Sequence, residues 1–194
     1  GSFLWEGPVL FPKISSLQVF AVPEADDYHR ARIGLYRCMR MHTHPDTQLL
    51  DEGLDSDARD EEPVESWWRR LLAFEGGVRG DLVAYWVQTG TAYAGWSSGV
   101  SRDRLVESAS PEIGMTSLHG LAMATSHPCR FALQSLGIDC IGTKSRITTV
   151  KGQPSRPRTP ALENVAGRLF YHELWDEGAS GSLGAGTIWL PDGS

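Results

Sequence analysis

The sequence predicts an α+β domain, a mixed or antiparallel sheet of about seven strands with about three helices. Three observations lead there. Short runs of β-forming residues, such as Leu17 to Val22 and Leu82 to Val87, are bounded by turn residues. Val64, Trp67, Trp68, Leu71 and Leu72 fall at helical spacing as one apolar stripe. Glycines (21) and prolines (11) punctuate the whole chain. Its 194 residues, 41% apolar and 22% charged, suffice for a single domain over 1–194 with a real core.

Phe3 to Phe11 reads as the first strand, and Gly7-Pro8 marks it as an edge or a bulge. Leu17 to Val22 is the second, ended by Pro23. Ala31 to Met41 alternates Ile33, Leu35, Cys38 and Met39 with Arg32, Arg37 and Arg40. It reads as a strand running into His42, with a short helix as the alternative. Asp51 to Asp60 is an acidic loop. Pro63 to Phe74 is the clearest helix. Proline and acidic residues suit its first turn, Gly76-Gly77 ends it, and Arg69 and Arg70 lie on its wet face.

Leu82 to Val87 and Thr91 to Trp96 are expected to form a hairpin around Gly90. Residues 97 to 118 read as a long polar loop, with room for a short strand or helix at Arg104-Leu105-Val106. His127 to Leu136 is the second helix, followed by Gly137. Ile138 to Ile141 and Arg146 to Val150 are expected to pair as a hairpin. Residues 151 to 160, KGQPSRPRTP, form a basic, proline-rich loop. Pro160 is expected to open a third helix capped by Thr159, with Leu162, Val165, Ala166, Leu169 and Phe170 inward. Gly178 to Gly186 reads as a flexible loop and Thr187 to Leu190 as a final strand.

The net charge of -6 argues against a sequence-independent grip on nucleic acid. No apolar run approaches the roughly 20 residues of a membrane helix. Cys38, Cys129 and Cys140 are odd in number and contain no CxxC, which suits a reducing compartment. Gly1-Ser2 reads as a cloning scar. The expectation is an intracellular protein, cytoplasmic or nuclear, whose partner is a protein or peptide.

Metal chemistry centres on His42-Thr43-His44. In a strand, two residues two apart share a face, so both imidazoles could ligate one Zn²⁺. A carboxylate as third ligand leaves the fourth position to water. His42-Thr43-His44-Pro45, with ten residues between His44 and Asp55, resembles the motif of the JAB/MPN (JAMM) zinc isopeptidases. The resemblance covers about residues 4 to 96 and implies a JAB/MPN-like core. It implies zinc as cofactor, with His42, His44 and Asp55 as ligands and Glu6 as general base. The implied function is cleavage of a peptide or ubiquitin-like isopeptide bond. Glu52 stands where that family has an oxyanion-stabilising serine, which points to an inactive member as the other form of the same reading. A cupin also opens with HxH, but Thr47, Gln48 and Leu49 occupy the positions where it needs a glutamate.

The alternative function is a non-catalytic protein-binding module. Leu4-Trp5-Glu6-Gly7 followed by Pro12 resembles the opening of SPOC domains, β-barrel protein-binding modules. Trp5, Trp67, Trp68, Trp86 and Trp96, with Arg156 and Arg158 in the basic loop, are residue types that dominate interface energetics. The core is the other expected place for Trp67, Trp68 and Trp86.

Overall fold

A computed structural model describes residues 6–16, 28, 32, 35, 48–50, 59–89, 97–108, 110–127, 137–147, 157–165, 168–177 and 183–191. These residues form an α+β fold of two sheets and three α-helices. The first half comprises β1 (Glu6–Pro12), β2 (Gln48–Leu50), β3 (Arg59–Pro63), α1 (Glu65–Gly76) and β4 (Leu82–Gln88). The second half comprises α2 (Ser98–Glu107), β5 (Glu112–Gly114), α3 (Ser117–Ser126), β6 (Gly137–Asp139), β7 (Thr143–Ile147), β8 (Pro157–Val165), β9 (Arg168–Trp175), β10 (Leu183–Ala185) and β11 (Thr187–Trp189).

The first sheet has the order β1-β4-β11-β5 and is antiparallel throughout. Strand side chains alternate between faces, and β1 and β4 follow that rule over their whole length. Val9, Phe11, Val83, Tyr85 and Val87 turn inward and are buried. They meet α1 and α3: the Phe74 and Tyr85 ring centroids are 5.7 Å apart, and those of Phe11 and His119 are 5.1 Å apart. Each such aromatic or aliphatic side chain contributes about 1.5–3 kcal/mol on burial.

The second sheet is built around β8. One edge of β8 pairs with β9 from Arg158 opposite Trp175 to Val165 opposite Arg168, and β2 runs parallel to β9 beyond it. The other edge takes β6 and β7 end to end. Ile138 lies opposite Leu162, but Ser145 lies opposite Arg158, so the register slips by three residues between them. The surplus is a bulge at Cys140–Gly142. Outside β6 and β7 lie β10, parallel to β6, and β3, antiparallel to β7.

The two sheets meet at that bulge and at Gly186. β10 belongs to the second sheet and β11 to the first, with Gly186 alone between them. Met115 N donates to Gly186 O, Gly186 N to Asp139 O, and Gly142 N to Met115 O. Gly142 has no room for a side chain, because a Cβ there would lie 2.4 Å from Gly114 O and 2.9 Å from Met115 C.

Helix α3 fills the space between the sheets. Every residue from Ser117 to Ala124 is buried. Phe11 touches it from the first sheet, and a Cβ on Gly120 would strike Leu162 and Cys140 from the second. A helix buried on all sides carries no amphipathic period, and the sequence assigned no element to most of this region. Residues 97 to 118, expected as a loop with room for a short strand or helix at Arg104-Leu105-Val106, hold α2, which includes those three residues, as well as β5 and the start of α3. Ser97 caps α2 by accepting from Val100 N, and Thr116 caps α3 by accepting from His119 N.

Other expectations need correction. The third helix, expected from Pro160, is the β8–β9 hairpin, so Pro157 to Pro160 are strand rather than loop. β6 and β7 do not pair with each other; both pair with β8. His127 caps the end of α3, and the rest of the helix expected over His127 to Leu136 lies outside the described residues. Leu183–Ala185, expected as flexible loop, is a buried strand. Arg32 and Leu35 are helical, the alternative for that stretch. Within α1, Trp67 and Leu71 are buried as expected, but Leu72 is exposed and Glu75 takes the inward place. Glu75 accepts from Ile14 N at 3.0 Å and from Tyr85 OH at 2.9 Å, which satisfies the buried carboxylate. Arg70 is half-buried and donates to Ser110 O. The expected strand Leu17 to Val22 and the hairpin arm Thr91 to Trp96 lie outside the described residues. The expected strands at β1, β4 and β11 are present.

Candidate functional site

His42, His44, Glu52, Asp55 and Arg156 lie outside the described residues. Glu6, the implied general base, heads β1 opposite Gln88 with its side chain in solvent. Between His44 and Asp55 the chain contributes β2 to the second sheet. Among the described residues no three His, Cys, Asp or Glu side chains gather at metal distance. Arg158 lies on β8 with its guanidinium 3.9 Å from the centre of the Trp175 ring, a cation–π contact. Cys140 is buried, and burial pushes its thiol up, away from nucleophilic character.

A buried polar network links the elements that the sequence could not connect. Arg32 Nε lies 3.0 Å from Glu61 Oε2, with both side chains fully buried. Tyr171 OH donates to Glu61 Oε2 at 2.7 Å, and Ser117 Oγ donates to Glu61 Oε1 at 2.7 Å. Tyr28 OH bridges Ser117 Oγ at 2.8 Å and Thr143 Oγ1 at 2.6 Å. Ser117 N also donates to Thr143 Oγ1. With the Ser117 proton on Glu61, the hydroxyls order as Thr143 to Tyr28 to Ser117 to Glu61, each donating to the next. Burial pushes the Glu61 carboxyl up, while Arg32 and the two hydroxyl donors pull it down. Ser117 and Glu61 resemble a nucleophile and its base in spacing alone. Both are buried, so this network fastens elements together instead of meeting substrate.

An open cleft of about 660 Å³ lies where α2 faces β7, the start of β8 and the end of β9. Arg102, which is buried, lines it. Arg102 donates to Ile141 O, Thr143 O, Thr159 Oγ1 and Asp176 Oδ2. Asp103, Lys144 and Glu177 stand at the mouth. A guanidinium with four acceptors is a structural tie between α2 and the second sheet. Nothing in the α2 sequence marks Arg102 as the buried one of its two arginines, because burial depends on Asp176 and Thr159, far along the chain.

Two buried groups carry opposite pH dependences. Burial pushes Asp139 up to about 6. Ser98 Oγ donates to its Oδ2 at 3.1 Å, while Oδ1 is buried with no partner among the described residues. The folded state therefore holds this proton more tightly than the unfolded chain, and ionising Asp139 costs stability as pH rises from about 4 to about 6. Asn removes that cost. From pH 4 to pH 7.5, urea unfolding of Asp139→Asn should gain about 2–3 kcal/mol relative to the wild type. A constant gap would show that Asp139 ionises freely.

His119 behaves in the reverse sense. Burial pushes its ring down to about 3; Nδ1 meets Thr116 Oγ1 at 2.5 Å, and Nε2 has no partner among the described residues. Its neutral ring stabilises the fold fully above pH 6.5, and that contribution is lost as pH falls toward 3. The two groups offset each other between about pH 4 and 6. His119→Gln should therefore lose about 3 kcal/mol less than the wild type between pH 6.5 and pH 4, measured by urea unfolding.

The remaining feature is the outer face of the first sheet. Leu10, Leu82, Trp86 and Trp189 are 58%, 53%, 53% and 38% exposed. Pro8, Trp86 and Trp189 lie side by side in one row across three strands, and Leu10 and Leu82 follow in the next two rows of the same face. The expectation that Trp67 and Trp68 serve the core holds, since Trp67 is buried and Trp68 packs partly buried against it. It fails for Trp86. The sequence carried a signal for this face, because Leu82-Val83-Ala84-Tyr85-Trp86-Val87 is apolar on both faces. Such a strand is either buried twice or used for contact.

The chain matches no protein-family model, no curated protein and no solved structure.

Proposed function

We propose that this chain is a protein-binding domain and that the outer face of the β1-β4-β11-β5 sheet is its contact surface. One observation carries the reading: four large apolar side chains and Pro8 stand together in adjacent rows of one face, in solvent. Apolar residues scattered singly over a surface need no explanation, whereas a contiguous patch that includes two tryptophans side by side fits an interface core. No described helix is long and apolar enough to cross a membrane. Selection of a random peptide library on the immobilised domain tests the reading. Enriched peptides should lose binding to Trp86→Asp by about 100-fold and keep binding to Arg158→Glu. Binders that ignore Trp86→Asp would place the contact surface elsewhere.

The zinc peptidase reading is the second. Glu6 favours it by heading β1 with its side chain free in solvent, ahead of α1 and β4 in the order that the resemblance implies. Zinc, held by His42, His44 and Asp55, would supply Lewis acidity, and Glu6 would accept the proton of the attacking water. Protein purified without chelator should then hold about one zinc per chain, and Glu6→Gln should keep the metal but lose cleavage. Chains free of zinc and stable without it would end this reading.

A further inference from the structure

We propose that the first turn of α2 is a pH-controlled flap: it lies docked on the Asp139 side chain when that carboxyl is protonated and lifts into solvent when it ionises, widening the cleft beside it. The turn runs from Ser97 to Ser101, and little holds it down. Serine, glycine and valine are weak helix formers, and Ser97-Ser98-Gly99-Val100-Ser101 contains nothing else. Val100 is 48% exposed, Ser97 and Gly99 are half-buried, and Ser98 and Ser101 turn inward. Among the described residues, two hydrogen bonds join this turn to the rest of the protein. Ser98 Oγ donates to Asp139 Oδ2 at 3.1 Å, and Gly99 N donates to Asp176 O at 2.9 Å. The helix is anchored from the next residue onward. Arg102 and Leu105 are buried, and Arg102 donates to four acceptors on the second sheet and its connections. The turn ahead of Arg102 can therefore lift while the rest of α2 stays in place.

Docking leaves two buried polar atoms without a partner among the described residues, Asp139 Oδ1 beneath the turn and Ser101 Oγ within it. Lifting the turn gives both to water. The gain is small while Asp139 is neutral, because its proton can sit on Oδ2 and donate to Ser98 Oγ. It is large for the carboxylate, a buried charge with one donor. The surrounding charges add to this. Burial, Glu163 on β8 and Asp176 after β9 disfavour the carboxylate, whereas Ser98 and Arg102 on α2 favour it. Cys140, next in the chain, is held as a neutral thiol, and β10, beside β6, carries no charged residue. The balance pushes Asp139 up to about 6 in the docked form. In the lifted form water surrounds the carboxyl and its ordinary value of 3.8 returns. Ionisation therefore favours lifting. Docking is strongest below pH 4, weakens as pH rises to about 6, and changes no further above that. The lifted fraction should grow about 50-fold between pH 4 and pH 7.5. Ser97, Gly99 and Val100 line the cleft on its α2 side, so this wall is the part that moves.

Amide hydrogen exchange of the wild type and Asp139→Asn, followed by NMR from pH 4 to pH 7.5 and divided by the rates of an unstructured chain, tests the proposal. Gly99 N and Ser101 N, bonded to Asp176 O and Ser97 O, report on the turn. Gly120 N, bonded to Thr116 O inside α3, reports on unfolding of the whole domain. The expected result is that protection of Gly99 and Ser101 falls about 50-fold over this range in the wild type and stays flat in Asp139→Asn. At pH 7.5 it should also stand well below that of Gly120. Equal protection of Gly99 and Gly120 at every pH overturns the proposal, because the turn would then open only with the whole fold. A fall that persists in Asp139→Asn, or no fall in the wild type, overturns it as well. Should Asp139→Asn fail to fold, Ser98→Ala takes its place. With the donor to the carboxyl gone the fall should exceed 50-fold, and an unchanged fall contradicts the proposal.

Discussion

Glu61→Ala should destabilise the domain by about 3–5 kcal/mol, the cost of breaking a buried ion pair from one side. The side chain sits where three parts of the chain cross. It pairs with Arg32, accepts from Ser117 at the start of α3, and accepts from Tyr171 on β9. Alanine leaves a buried guanidinium beside a void and takes the acceptor from two buried hydroxyls, each of which then bears a desolvation penalty. For a chain of this size the melting temperature should fall by about 8–15 °C. Glu61→Gln is the informative comparison. Its one oxygen can take the place of Oε1 and accept from Ser117 and Tyr171, while its amide NH2 replaces the oxygen facing Arg32, so it should cost less than Ala at pH 7. Because burial raises the carboxyl of Glu61, the folded state binds its proton more readily than the unfolded chain does. The Gln variant should therefore gain on the wild type as pH rises above the usual carboxylate range. Equal losses for Ala and Gln would mean that the charge itself, and not the hydrogen bonds, holds the three segments.

Gly142→Ala should be nearly as damaging, by about 3 kcal/mol or more, for a different reason. A Cβ at this position would meet backbone atoms of Gly114 and Met115, neither of which can rotate away. Relief requires the two sheets to separate where their described residues share hydrogen bonds. Gly142 N donates to Met115 O, and Val64 N donates to Gly142 O, which also ties down the start of α1. Overpacking of an ordinary core site costs about 1–3 kcal/mol because side chains shift; backbone contacts raise that figure. Thermal unfolding monitored by near-ultraviolet circular dichroism would report it, since Trp67 lies beside Gly114. A variant that melts within about 2 °C of the wild type would show that the sheets can slide without penalty.

The legible parts of the fold were those whose pattern is local. α1 was legible because one side of it meets water, and the stripe Val64, Trp67, Leu71 repeats at helical spacing. β1 and β4 were legible for the same reason at period two. α3 was not, because the first sheet, the second sheet and Cys140 surround it, and a helix buried on all sides has no polar face to set a period. The β8–β9 hairpin was read as a helix because Leu162, Val165, Ala166, Leu169 and Phe170 match helical spacing by chance, while Thr159 and Pro160 imitate a cap. Its true determinant is pairing with β6, β7 and β2, which no local window contains. The split of β6 from β7 by a three-residue bulge was likewise invisible, since it exists to bring Gly142 against Gly114.

The candidate sites divide in the same way. Glu6 could be named from its position ahead of a strand, and it does head β1. Arg158 could be named as basic, but not as the cation over Trp175, which depends on the β8–β9 register. Arg102, Glu61 and Ser117 drew no notice, because each is defined by partners roughly 40 or more positions away. The exposed face was half legible. The double-sided apolar run at Leu82 to Val87 was visible, but Trp189 joins Trp86 only through the pairing of β11 with β4.

The central claim is that Trp86 is held in solvent for contact and contributes little to the fold. Urea unfolding of Trp86→Asp tests it most directly. Trp86 has Pro8 and Trp189 as cross-strand neighbours, and such pairs are worth about 0.2–1 kcal/mol each. The account predicts that the variant unfolds within about 1 kcal/mol of the wild type. A loss of about 3–5 kcal/mol, the cost of truncating a core tryptophan, would contradict it and place this face inside the protein.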